Sequence, residues 1–209
     1  LIWRLVKVKD SILSSNQARD IRAAPLGMLL YGPSGIGKST FVDYLFPLMG
    51  KWYDLPASPE GGKYVVNPSS KFWDGFRSSD WFIVLDELAN EHPGKVHSLK
   101  ESSIANLLLL NNTLPFCPDQ AAVEDKGKTP AFPRVVVGTT NQKSLQAEHF
   151  YSCPEAVRRR LPWCTLLCPK SEYMEAGVLS QDKIAADPLT KNASIPEVWD
   201  INVQRFVSN

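Results

Sequence analysis

Short apolar runs alternate with segments of helical period along most of the chain. Leu1, Leu5, Val8 and Ile12 recur at roughly helical spacing, so 1–14 is expected as an amphipathic helix, packed on the core or continuing an upstream domain. Residues 27–31 (GMLLY) form a brief apolar run that ends in a Gly-rich turn, and a helix is expected from Ser39 to about Met49. Trp81 to Leu85 (WFIVL) predicts a second buried strand, closed by two acids. Leu99 to Leu110 predicts a helix, and Arg134 to Val137 a third strand leading into Gly-Thr-Thr-Asn. Pro154 to Arg160 predicts a short helix with Pro at its start, and Trp163 to Cys168 a fourth strand. Residues 54–71 and 111–133, rich in Pro, Gly, Ser, Asn and Asp, are expected as long loops. Residues 196–206 (PEVWDINVQRF) alternate only loosely and are expected as an edge element or a subunit contact. Short apolar strands alternating with helices predict an α/β fold with a mainly parallel central sheet covered on both faces.

Composition narrows this picture without changing it. The chain has 209 residues, 44% hydrophobic and 22% charged, which excludes a wholly disordered chain. The net charge of +1 excludes a histone-like polycation but leaves room for a local basic site. No apolar run approaches the ~18–20 residues of a membrane-spanning helix. Cys117, Cys153, Cys164 and Cys168 contain no CxxC pair, which argues against a zinc knuckle or disulfide framework. Cys164 and Cys168 are expected to pack in the core. The first residue is Leu1, and the chain is expected to be a piece of a longer product.

Residues 32–40 read GPSGIGKST and satisfy G-x-x-x-x-G-K-[ST] in full. In such a loop the backbone N–H groups of Gly32, Pro33's neighbours Ser34, Gly35, Ile36 and Gly37, and of Ser39 and Thr40, can turn toward phosphate oxygens. Lys38 then reaches the outer phosphates and the Ser39 hydroxyl binds magnesium (Mg2+). The following helix points its positive end at the anion. Asp86 and Glu87 follow an apolar strand, where side chains reach the ligand crevice of a parallel sheet. Asp86 is expected to hold the metal ion and Glu87 to polarise the attacking water; taken alone, the pair also suits a helix N-terminus. Asn141, at the tip of VVVGTTN, is expected to orient water against the terminal phosphate. Arg158, Arg159 and Arg160 read either as a solvated helix end or as the source of an arginine finger.

Order and spacing of these segments resemble one family: the superfamily 3 helicases of picorna-like positive-strand RNA viruses, the 2C-type replication NTPases. The segments are GPSGIGKST, FWDGF (Phe72 to Phe76), FIVLDEL, EDKGK (Glu124 to Lys128), VVVGTTN and AVRRRL (Ala156 to Leu161). They span about residues 27–168. The resemblance implies a P-loop NTPase with an AAA+-like, three-layer α/β/α core and ATP as substrate. It implies a homo-oligomer, a hexameric ring, in which Arg159 and Arg160 act on the neighbour's nucleotide; Arg158 aligns less well. The loop carrying Lys126 and Lys128 would face the pore and meet RNA, single-stranded or duplex, and Trp73 would stack on bases or pack in an interface. By the same resemblance the protein would be processed from a polyprotein and act in the host cytoplasm, at membrane-associated replication sites. Membrane attachment would come only from segments outside this chain. The expected organisation is an N-terminal helical arm (1–24), an ATPase core (25–168) and a C-terminal subdomain or contact region (169–209). The resemblance also has departures. Relatives often carry two aspartates where this chain has Asp86-Glu87, and a cysteine-rich zinc module after the arginines is missing. Two other readings stay open: an AAA+-type ATPase acting on proteins or membranes without unwinding, and a P-loop nucleoside monophosphate kinase.

Overall fold

A computed structural model describes residues 8, 21–68, 70–90, 103–122, 124, 126–190 and 196–206. The helix expected over 1–14 lies outside the described residues apart from Val8. Six strands make one sheet in the order β2-β3-β4-β1-β5-β8: β1 (Leu26–Tyr31), β2 (Lys63–Val66), β3 (Phe82–Leu85), β4 (Val135–Thr140), β5 (Trp163–Pro169) and β8 (Trp199–Arg205). The first five run parallel, and β8 pairs antiparallel with β5 at the edge. The register sets Tyr31 beside Thr140 and Leu85 beside Gly138, so β1, β3 and β4 end at a common edge. Ligand sites of parallel sheets form beyond that carboxyl edge.

Alternation along each strand builds the two apolar layers. Leu30, Phe82, Val84, Val135 and Val137 face α1 (Lys38–Tyr53), which buries Phe41, Val42, Leu45 and Phe46 against them. Leu29, Ile83, Leu85 and Val136 face the other way, onto Ile104, Leu107 and Leu110 of α2 (Ser103–Leu110). Burying each such side chain contributes about 1.5–3 kcal/mol, so both faces drive assembly. This is the three-layer α/β/α arrangement of a P-loop NTPase. The helix expected to stop near Met49 runs on to Tyr53 and carries Pro47 within it; it ends where Asp54 turns left-handed at φ 53°. Two short helices follow β4, α3 (Ala147–Phe150) and α4 (Glu155–Arg158).

Three expectations need correction. The stretch 54–71 is not loop throughout: it contains β2, which adds to the sheet beside β3. Trp73 is not available to stack on a nucleobase. It is 4% exposed, stacked on Tyr64 at 5.4 Å and met edge-on by Phe76 and Phe116. The FWDGF motif thus closes the core over β2. Cys164 is buried as expected, but Cys168 is exposed. Arg22 staples the α2 side of the core: its guanidinium donates to the carbonyls of Leu109, Leu110, Leu114 and Ala131. Burial lowers its pKa to about 10, which still leaves it charged at neutral pH.

The segment after β5 folds back over the start of α1. A 3-10 turn (Ser171–Tyr173) leads into a hairpin of β6 (Met174–Glu175) and β7 (Val178–Leu179), then α5 (Gln181–Ala186). Tyr173 donates to Asp187 Oδ2 at 2.5 Å and closes this segment on itself.

Candidate functional site

The chain leaves β1 through Gly32, loops over Pro33 to Gly37, and enters α1 at Lys38. Gly32, Gly35 and Gly37 take φ values of 145°, 79° and 82°, which side-chain-bearing residues rarely adopt. The loop bends tightly enough that Lys38 Nζ donates back to the carbonyls of Gly32 (2.9 Å) and Pro33 (2.8 Å). The same ammonium donates to Asn141 Oδ1 at 2.7 Å. Two motifs 103 positions apart therefore meet at one cation. Partial burial lowers the Lys38 pKa, while the charges of Asp86 and Glu87 act to raise it.

Asp86 and Glu87 emerge from the end of β3, next to the end of β4. Thr139 ties them together. Its hydroxyl donates to Asp86 Oδ1 at 2.5 Å and accepts from the Glu87 N–H at 3.1 Å, and its carbonyl accepts from Leu88 N–H at 2.7 Å. Glu87 sits at φ 51°, an uncommon conformation for a residue with a side chain, and these bonds hold it there. One Glu87 oxygen accepts from Asn90 Nδ2 at 3.2 Å. Thr139 takes one Asp86 oxygen, so the other could serve as a metal ligand. With the Ser39 hydroxyl it offers the hard oxygen donors that magnesium prefers, with room for retained waters.

One cavity of about 380 Å³ is lined by Ser34, Gly35, Gly37, Lys38, Ser39, Thr40, Asp86, Glu87 and Asn141, whereas Gly32, Pro33 and Ile36 of the loop stand behind its lining. The cavity therefore joins phosphate-binding amides, a cation, two carboxylates and an amide side chain at one strand edge. Such a set suits binding a polyphosphate and activating water against it.

The three arginines lie elsewhere. Arg158 pairs with Glu148 (3.7 Å) and Glu155 (3.4 Å). Arg160 is half-buried, and its guanidinium donates to the Ala156 carbonyl of its own helix; burial, then the neighbouring Arg159 charge, lowers its pKa. Arg159 is exposed at the end of α4. None of the three lines the cavity of its own chain. Lys126 and Lys128 are exposed in the loop before β4, away from the cavity.

Several site residues have no sequence signal or a weak one. Thr139 was visible only as a polar residue ending an apolar strand. Val178, Leu179 and Gln181 line the cavity, and Trp199 touches the loop from behind, yet none belongs to a recognisable motif.

A family model described as RNA helicase matches residues 28–142, more than half of the chain. The genome polyprotein of Human rhinovirus 1B is 26% identical over 175 residues, 83% of this chain and 7% of the polyprotein. That of Human rhinovirus 16 is 25% identical over 138 residues, 66% of this chain and 6% of the polyprotein. The genome polyprotein of Human klassevirus 1 is 29% identical over 140 residues, 67% of this chain and 5% of the polyprotein. The chain thus spans a small fraction of the length of these curated relatives.

Proposed function

The chain belongs to the RNA helicase family, and on that premise we propose that it hydrolyses ATP to drive RNA remodelling in viral genome replication, as one piece of a polyprotein. The observation that carries this reading is the Lys38–Asn141 bond of 2.7 Å, which brings the phosphate loop and the polar end of β4 to one point.

In this reading the loop amides and Lys38 hold the β- and γ-phosphates. Ser39 and Asp86 would hold magnesium, which would supply positive charge against the phosphate oxygens. Glu87 accepts the proton of the attacking water and Asn141 orients that water. Each role uses a group that already lines the cavity. Lys38 must exchange its bonds to the Gly32 and Pro33 carbonyls for phosphate oxygens when nucleotide enters.

Among the described residues no arginine lines the cavity to stabilise charge on the transferred phosphoryl group. We assign that role to Arg159 of a neighbouring copy in a homo-oligomeric ring. Its exposure supports this assignment, whereas Arg160 is engaged by the Ala156 carbonyl and is better suited to shaping α4. Exposed Lys126 and Lys128 are the proposed RNA phosphate contacts, and their attraction weakens with salt. Among the described residues no helix is long and apolar enough to cross a membrane. The same proposal places the protein at membrane-associated replication sites in the host cytoplasm, attached through segments outside this chain.

RNA titration tests this proposal. RNA should raise ATP turnover, and an RNA duplex should separate only when ATP is present. Exchange of Lys126 and Lys128 for Ala should weaken the RNA response without touching basal turnover. Turnover indifferent to RNA, with no strand separation by the assembled protein, would instead mark an ATPase that acts on proteins or membranes.

A further inference from the structure

The C-terminal segment is built against the phosphate loop from the side opposite α2. Leu179 N–H, in β7, donates to the Gly35 carbonyl at 2.7 Å. Trp199 Nε1–H, at the start of β8, donates to the Ile36 carbonyl at 2.7 Å in a buried position. The Trp199 ring is fixed by edge contacts with Phe41 at 5.6 Å and Tyr44 at 6.2 Å. Gln181 Nε2 reaches Thr40 Oγ1 at 3.1 Å.

The packing is close. A Cβ on Gly35 would stand 2.6 Å from Val178 Cγ1, and one on Gly37 would overlap Leu179 Cδ2 and stand 3.1 Å from Trp199 Cζ2. Gly35 occupies a position the phosphate-loop pattern leaves free. The hairpin gives it a reason to be glycine.

Peptide geometry converts these two bonds into a statement about the amides. In a planar trans peptide the C=O and the next N–H point in opposite directions. Holding the Gly35 and Ile36 carbonyls toward Leu179 and Trp199 therefore aims the N–H groups of Ile36 and Gly37 the other way. Neither N–H has an acceptor among the described residues. Two adjacent unpaired amides aimed alike are an anion-binding concavity.

We propose that Trp199, together with Leu179, is a positioning residue that presets the Ile36 and Gly37 amides for nucleotide phosphates. The C-terminal segment is then part of the nucleotide site. This rests on the nucleotide-binding reading above and deepens it.

Trp199→Phe keeps the aromatic packing and deletes the N–H. Equilibrium titration with a fluorescent ATP analogue should show a Kd raised about tenfold, the scale of one hydrogen bond lost from a preorganised site. The loss should appear in KM for ATP more than in kcat, a split that mere destabilisation does not produce. Leu179→Pro, which deletes the N–H that reaches the Gly35 carbonyl, should raise Kd on the same scale and serves if Trp199→Phe fails to fold. Wild-type affinity in folded Trp199→Phe, or in Leu179→Pro where only that folds, overturns the proposal even if melting temperature falls. If the wild-type chain and Lys38→Ala bind the analogue equally, the nucleotide-binding reading itself has failed, and the proposal with it.

Discussion

The Thr139 hydroxyl donates to Asp86 Oδ1 at 2.5 Å while it accepts the Glu87 N–H at 3.1 Å. One hydroxyl on β4 thereby fixes the proposed metal-binding acid and the backbone of the proposed general base on β3. Thr139→Val keeps shape and burial but removes both bonds. Magnesium-dependent turnover should fall about 10–100-fold, as when a group supporting a metal ligand is lost, with little change in ATP-analogue binding without metal. Unchanged turnover would show that Asp86 and Glu87 hold their places without Thr139.

Arg159 and Arg160 should separate by phenotype. Arg159→Ala should lower turnover of the assembled protein by about 10³-fold or more and leave melting temperature unchanged. Arg160→Ala should lower melting temperature, because its guanidinium bonds the Ala156 carbonyl and lies half-buried. Mixing Arg159→Ala with Lys38→Ala protein should restore part of the activity if the arginine acts across an interface. Full activity of Arg159→Ala alone would remove it from the site.

Trp73→Ala should destabilise the fold by about 3–5 kcal/mol, the usual cost of emptying a buried aromatic site. Trp73→Phe, which keeps a ring against Tyr64, should cost less. RNA affinity of the folded fraction should stay at the wild-type value. A stable Trp73→Ala protein with weakened RNA binding would contradict the burial seen here.

The Tyr173–Asp187 clasp predicts a pH signature. The hydrogen bond from the Tyr173 hydroxyl, then that from the Leu189 N–H, holds the Asp187 carboxyl below its usual range. Its contribution is present above the ordinary carboxylate pKa and is lost as pH falls through the folded value. The Tyr173 hydroxyl, donating to that carboxylate, is pushed up to about 12. Its contribution is present below the ordinary pKa of about 10 and is lost as pH rises through the folded value. Urea unfolding should show a stability gap between wild type and Tyr173→Phe that is constant near neutrality and shrinks toward both extremes. A gap of constant size across the range would mean that the pair does not titrate as a unit.

Much of the catalytic edge was legible in the sequence because its signals are local. GPSGIGKST specifies its own turn, and strands buried on both faces announce themselves as unbroken apolar runs such as WFIVL. The polar ends of β3 and β4 were visible too, although the Thr139 contacts needed the parallel register to bring those ends together. The edge strand β2 was hidden: KYVV is brief, flanked by turn residues, and partly exposed. Trp73 was misleading for a related reason. Its motif contains Asp74 and Gly75, but its burial comes from Tyr64 and Phe116, outside the motif. In the C-terminal segment the loose alternation of 196–206 marked the edge strand β8, but its link to the phosphate loop was hidden, because that link is a contact from Trp199 to Ile36, 163 positions apart.

Phosphate release from ATP and magnesium, followed over roughly a hundredfold range of protein concentration, tests the central claim most directly. Lys38→Ala, which leaves Asn141 and the loop without their shared cation, is the blank. Specific activity should climb with concentration, as a site completed by a neighbouring copy requires, and should vanish in the blank. Equal phosphate release from wild type and Lys38→Ala would contradict the assignment of this cavity as the site of hydrolysis.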